Sequence, residues 1–219
     1  MTQQPNPFAP HWLIRDITIA THRTLVGPGG LLFLGDSLVE GFYWSSLGGL
    51  PVLNAGYFGI WTEELEPKVA RLLKSAQPSF GVLLVGTNDA KKGSSEESIA
   101  AAAEHFERVV RHFEDAGVPF VAVTPPPIEP SKRLSNFYLA DSMESLSRRI
   151  LRIVDGRAAA ILDLQKDFAD PDGAARAGIT TDGIHLSAEA YRLLHDMLET
   201  TIAAVTAWRG HERGRSARL

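Results

Sequence analysis

Four short segments of this chain hold the residue types that acyl transfer requires. Gly35-Asp36-Ser37 supplies a hydroxyl. The glycine lets the chain turn sharply, and the serine then opens a helix among free N–H groups that favour developing negative charge. Thr181-Asp182-Gly183-Ile184-His185 supplies a base. An Asp three residues before a His can share one turn with it, so the carboxylate accepts from the imidazole Nδ1–H and Nε2 stays free. Asn54-Ala55-Gly56-Tyr57-Phe58-Gly59 offers a tight loop with a backbone N–H open to a cleft, and Gly86-Thr87-Asn88-Asp89 offers a side-chain amide. Each segment alone also has a plain structural reading. A serine after a strand is commonly a cap, paired glycines a turn, and a loop Asn an Asx-turn. Together they provide a nucleophile, a base, a group to orient the base and oxyanion donors.

Such a site needs elements that bring distant segments together. Short apolar runs at Leu31–Leu34, Val52–Leu53, Val82–Val85, Phe120–Val123 and Ile161–Leu164 read as buried strands. Between them, Thr62–Ala76, Ser95–Ala116, Asn136–Val154 and Ser187–Trp208 carry helical patterns. Thr62 is the expected N-cap of the first, and Gly117-Val118-Pro119 ends the second. Alternating strands and helices predict an α/β fold with a parallel sheet covered on both faces. Ligands of such sheets bind beyond the carboxyl ends of the strands. All four segments fall on that edge.

The blocks Gly35-Asp36-Ser37, Asn54-x-Gly56-x-x-Gly59, Gly86-x-Asn88-Asp89 and Asp182-x-x-His185 resemble, in order and spacing, the four signature blocks of the SGNH hydrolases, the GDSL esterase/lipase family. The resemblance spans Leu31 to about Met197. It implies Ser37 as nucleophile, His185 as general base and Asp182 as the group that orients it. It implies an oxyanion hole of the Ser37 and Gly59 backbone N–H groups with the Asn88 side-chain amide, and Gly59 rather than Gly56 because it matches the family's oxyanion glycine. Asp36 and Asp89 match too, and are read as loop-holding residues. The implied fold is a flavodoxin-like three-layer α/β/α sandwich with a five-stranded parallel sheet of order 2-1-3-4-5. The Gly-x-Ser-x-Gly elbow of α/β-hydrolases is absent from the sequence.

Composition narrows the field further. The chain has 219 residues, 44% of them hydrophobic, and no Cys. That excludes thiol nucleophiles, disulfides and thiolate metal sites. The net charge of −4 argues against nucleic acid as a partner, although residues 209–219 carry four Arg and one Glu and so count +3. No basic leader precedes an apolar core, and no apolar run is long enough to span a membrane. A cytoplasmic protein without membrane insertion is expected, with 1–30 an N-terminal extension packed on the domain, 31–208 the hydrolase domain and 209–219 a flexible basic tail. The substrate is read as a small-molecule ester, with no cofactor and no metal; oligomeric state is not legible. His105 and His112 lie seven apart in one helix without a third ligand, and are read as a surface pair. Phe42, Tyr43, Trp44, Phe58 and Trp61 form either an aromatic wall for substrate or ordinary packing. Pro125-Pro126-Pro127 is a stiff loop bordering the cleft. The favoured activity is hydrolysis of short acyl or acetyl esters. An acyl-thioesterase or lysophospholipase is the alternative within the family, and a non-catalytic flavodoxin-like binding protein the alternative outside it.

Overall fold

Strand β1 (Leu31–Gly35) is buried at every residue because helices cover both faces of the sheet it centres. The structure, a computed structural model, describes residues 7–216, with side chains through residue 207. On one side of β1 lie β2 (Ser46–Leu47) and β3 (Leu50–Gly56). On the other lie β4 (Phe80–Leu84), β5 (Phe120–Val123) and β6 (Ala160–Leu162), giving the order β2-β3-β1-β4-β5-β6. The five parallel strands, counted alone, keep the expected order 2-1-3-4-5. The expectation of five strands is corrected at one edge. There Ser46 and Leu47 fold back antiparallel on Pro51 and Leu50 and add a sixth. Two residues are too few to carry a periodic signal.

Side chains alternate across the sheet and so build two cores. Leu32, Leu34, Leu83 and Ala122 face α1 (Ala9–Val26), α3 (Thr62–Ala76), α4 (Glu96–Asp115) and α5 (Ala140–Val154). Leu31, Phe33, Val82, Val121 and Val123 face α2 (Ser37–Glu40), α6 (Leu164–Asp167) and α7 (Ala188–Ser216). This is the three-layer α/β/α sandwich. Truncating a fully buried leucine such as Leu32 to alanine costs about 2–5 kcal/mol in such cores.

Boundaries differ from expectation in several places. Trp61 rather than Thr62 is the N-cap of α3, and Thr62 is its first helical residue. The helix expected from Asn136 begins only at Ala140, because Ser135–Phe137 forms a 3₁₀ turn and Tyr138 is extended, bridged to Lys91. The last strand stops at Leu162, and Asp163 stands at the N-cap position of α6. Within the N-terminal extension, helix α1 packs Trp12 and Ile19 inward against β3. It shows no clear stripe in sequence because Leu13, Ile14, Ile17 and Leu25 are exposed. The stretch 209–219 begins inside α7, whose backbone runs to Ser216. Its side chains and residues 217–219 lie outside the described residues.

Candidate active site

Three adjacent strands end in register, with Gly35 opposite both Gly56 and Leu84, so their loops leave the sheet at one level. Main-chain bonds continue past the strands, from Tyr57 N to Gly35 O at 3.0 Å and from Asp36 N to Leu84 O at 3.3 Å. Asp36 is fully buried and caps α2, accepting from Leu38 N at 2.9 Å and also from Thr87 N at 3.3 Å. Asp89 accepts from Thr62 Oγ1 at 2.7 Å and from Thr62 N. The two aspartates thus tie three loops together, the loop-holding work read for them from sequence.

Ser37 opens α2 and is 9% exposed. Its Oγ lies 3.1 Å from His185 Nε2, across 148 residues of sequence. His185 Nδ1 lies 2.8 Å from Asp182 Oδ2. A carboxylate only accepts, so Nδ1 carries the proton and Nε2 presents its lone pair to the serine hydroxyl. The other Asp182 oxygen accepts from the amides of His185 at 2.9 Å and Ile184 at 3.1 Å, which fixes the carboxylate plane.

The donors named from sequence differ in what already occupies them. Gly56 N is engaged by Asn54 Oδ1 at 3.0 Å, whereas the amides of Ser37 and Gly59 donate no hydrogen bond among the described residues. Gly59 sits at φ +73°, and a Cβ there would meet the Phe8 ring at 2.6 Å, so only glycine fits. Asn88 is 3% exposed. Its Nδ2 donates to Ile60 O at 3.0 Å, and the amide's second N–H has no partner among the described residues.

Electrostatics divide these carboxyl groups into two kinds. Burial pushes Asp36 up, and the hydrogen bonds it receives from Leu38 and Thr87 do not offset it. Burial likewise pushes Asp89 up to about 7 despite the Thr62 donors. Burial also acts on Asp182, but the His185 ring and the His185 and Ile184 amides outweigh it, and its carboxyl lies below the ordinary value.

Phe8, Lys91 and Tyr138, which pack near the site, carry no signal in the sequence. The Phe58 ring stacks on His185, centroids 5.9 Å apart at 12°, and Phe8 of the N-terminal segment meets Phe58 edge-on at 5.3 Å. Lys91 Nζ lies 5.7 Å and 5.8 Å from the ring centroids of Phe8 and Trp61. Tyr138 OH approaches Asn88 Oδ1 at 3.4 Å, and burial followed by the charges of Asp36 and Asp182 raises its hydroxyl to about 12. Tyr138 also lines a cleft of about 800 Å³ between the 127–136 loop, α5 and residues 163–174, which neither Ser37 nor His185 lines.

The aromatic cluster expected from sequence splits in space, whereas the histidine pair converges on one carboxylate. Of the five aromatics, Phe58 reaches His185 and Trp61 lies under Lys91, while Phe42 packs on Phe33, Trp44 stacks on His195 and Tyr43 is exposed. His105 and His112 both face Glu66, at 3.5 and 3.4 Å, with Arg108 on the same carboxylate, which makes them part of a polar link between α3 and α4.

No curated protein matches the sequence. Solved structures match over most of the chain. A GDSL-like lipase from Bacteroides thetaiotaomicron has a TM-score of 0.72 at 15% identity, covering 85% of this chain and 96% of its own. The lipase/acylhydrolase from Enterococcus faecalis has a TM-score of 0.67 at 19%, covering 80% and 96%. The acetyl xylan esterase AlAXEase has a TM-score of 0.64 at 20%, covering 76% and 96%. At these identities the structures show a common fold. The family model of the GDSL-like lipase/acylhydrolases matches residues 33–193, which include all four motif blocks, and the chain belongs to that family.

Proposed function

We propose that this protein hydrolyses carboxylic esters of short acyl groups, acetyl foremost, through Ser37, His185 and Asp182. The observation that carries the reading is the continuous path from Ser37 Oγ to His185 Nε2 at 3.1 Å and from Nδ1 to Asp182 at 2.8 Å. Ser37 Oγ attacks the ester carbonyl as Nε2 takes its proton, and the resulting oxyanion is met by the Ser37 and Gly59 amides and the second N–H of Asn88. Nε2 returns the proton to the departing alcohol and leaves an acyl-serine. Water, deprotonated by the same nitrogen, then releases the acid. Asp182 stabilises the imidazolium formed in each half. A nucleophile 9% exposed beside the Phe58 ring favours an acyl group of few carbons. The catalytic unit is residues 31–208, and the extension 1–30 adds Phe8 to its rim.

The test compares wild type with Ser37→Ala on p-nitrophenyl esters and acyl-CoA thioesters of graded chain length, with a fluorophosphonate probe in parallel. The expected result is labelling of wild type alone and fastest turnover of acetyl ester. Undiminished turnover in folded Ser37→Ala overturns the nucleophile assignment, and faster turnover of long thioesters overturns the substrate class.

A further inference from the structure

We propose that Glu129 is a positioning residue for the base of this site: its buried carboxylate holds the segment carrying Asp182 and His185 at the distance from which His185 reaches Ser37. The inference rests on the ester-hydrolase reading above. Between α6 and α7, all of it among the described residues, the chain forms only isolated bridges, Ala169 with Ala175 and Thr180 with Leu186, so no strand ladder or helix fixes the His185 loop. Something else must supply its geometry.

Glu129 follows β5 and the Pro125-Pro126-Pro127 run, and is 6% exposed. One of its oxygens accepts from Gly178 N at 2.9 Å, and the other accepts from both Thr180 N and Thr180 Oγ1 at 2.8 Å. Lys132 Nζ pairs with it at 2.9 Å. Thr180 Oγ1 in turn accepts from Gly183 N at 2.9 Å, the residue between Asp182 and Ile184. Two main-chain bonds complete the seam, from Glu129 N to Gly183 O at 3.1 Å and from Leu134 N to Asp182 O at 2.7 Å. The fit is close, since Gly183 has φ +110° and a Cβ there would lie 2.8 Å from Ser135 N.

A carboxylate is the side chain this seam requires. Both oxygens face donors only, and charge-assisted bonds of this kind are the strong ones. Burial pushes Glu129 up, but the Gly178 and Thr180 amides, the Lys132 ammonium and the Thr180 hydroxyl outweigh it and bring it to about 2. The group is therefore ionised well below neutral pH. Glutamine keeps the shape but turns an amide N–H₂ toward N–H and O–H donors, leaving buried donors unsatisfied.

The experiment takes folded Glu129→Gln, with Thr180→Val as the milder second variant, and reads three quantities against wild type and Ser37→Ala. In Glu129→Gln, kcat for p-nitrophenyl acetate falls by roughly 10², the scale of a misplacement of about 1 Å, while KM stays within about twofold. Thr180→Val shows the same split at roughly tenfold. The far-downfield proton NMR signal of His185 Nδ1–H, identified by its loss in His185→Ala, shifts or broadens in both variants. If Glu129→Gln fails to fold, Thr180→Val decides by the same readouts. A folded variant with wild-type kcat and an unmoved Nδ1–H signal overturns the inference, whatever its melting temperature. If Ser37→Ala retains activity, the ester-hydrolase reading fails instead, and the NMR signal still reports whether Glu129 positions the His185 loop.

Discussion

The two halves of this site are held by different physics. The half with Ser37, Gly59 and Asn88 hangs from three neighbouring strands whose ends are in register, and its loops are short. The half with Asp182 and His185 hangs from no strand and is fastened by hydrogen bonds to the segment after β5. The carboxyl groups of the two halves respond oppositely. Asp36, beside Ser37, and Asp89, beside Asn88, have burial dominant, and both are pushed up. Asp182 and Glu129 sit among donors that outweigh burial, and both are pulled down. The sheet-built half can carry carboxyl groups that are poorly solvated, because sheet packing stabilises its shape anyway. The loop-built half needs its charges, because they are what shapes it.

The largest expected effect falls on the loop-built half. Asp182→Asn preserves the oxygen that accepts from the His185 and Ile184 amides, yet presents N–H₂ to the ring and favours the wrong tautomer. The expected loss in kcat is about 10⁴, with a modest drop in melting temperature from the lost charge. Steady-state kinetics and a thermal melt on one preparation check it, and a loss under about tenfold would remove the distinction between the halves. A smaller effect is expected from Asn88→Ala in the sheet-built half, about 10²–10³ in kcat for one oxyanion donor. This variant also forfeits the bond to Ile60 O, so its melting temperature drops measurably. Equal kcat in Asn88→Ala and wild type would mean that the second N–H does not face the oxyanion.

What the sequence makes legible follows the same division. The strand-and-helix alternation and the order of the parallel strands are legible, because apolar runs of β1, β4 and β5 are buried on both faces and interrupt helical periodicity. Ser37, Asn88, Asp182 and His185 are legible because each lies in a short block at the carboxyl end of the sheet or before the last helix. Glu129 is not. The loop amides it holds lie 49 and 51 residues away, and an acid three residues before a lysine gives no sign of them. Phe8 escapes for a similar reason: contact with Phe58 arises only when α1 docks on β3. Local chemistry is written locally, whereas the supports of a loop without regular structure are written in the tertiary fold.

The smallest effect tests the electrostatic side of the comparison. With Asp89 raised to about 7, the folded protein keeps a proton that the unfolded chain releases near pH 4. Between about pH 4 and 7 the folded state therefore binds more protons, and this group's contribution to stability falls as pH rises. Glu129 and Asp182 run the other way. Their contribution is present above the ordinary carboxylate range and is lost as pH falls below it, for Glu129 between about 4.5 and 2. Asp89→Asn keeps a carbonyl to accept from Thr62 and removes the buried charge. Its melting temperature at pH 8 should exceed wild type by about 2–4 °C, the equivalent of 1 kcal/mol in a domain of this size. The advantage should vanish near pH 4, where wild-type Asp89 is also neutral. Glu129→Gln should show the reverse, with its deficit greatest at pH 8 and shrinking in acid, because only there does wild-type Glu129 begin to lose its charge. Parallel melting curves for the two variants would contradict the assignment of opposite electrostatic roles to the two halves.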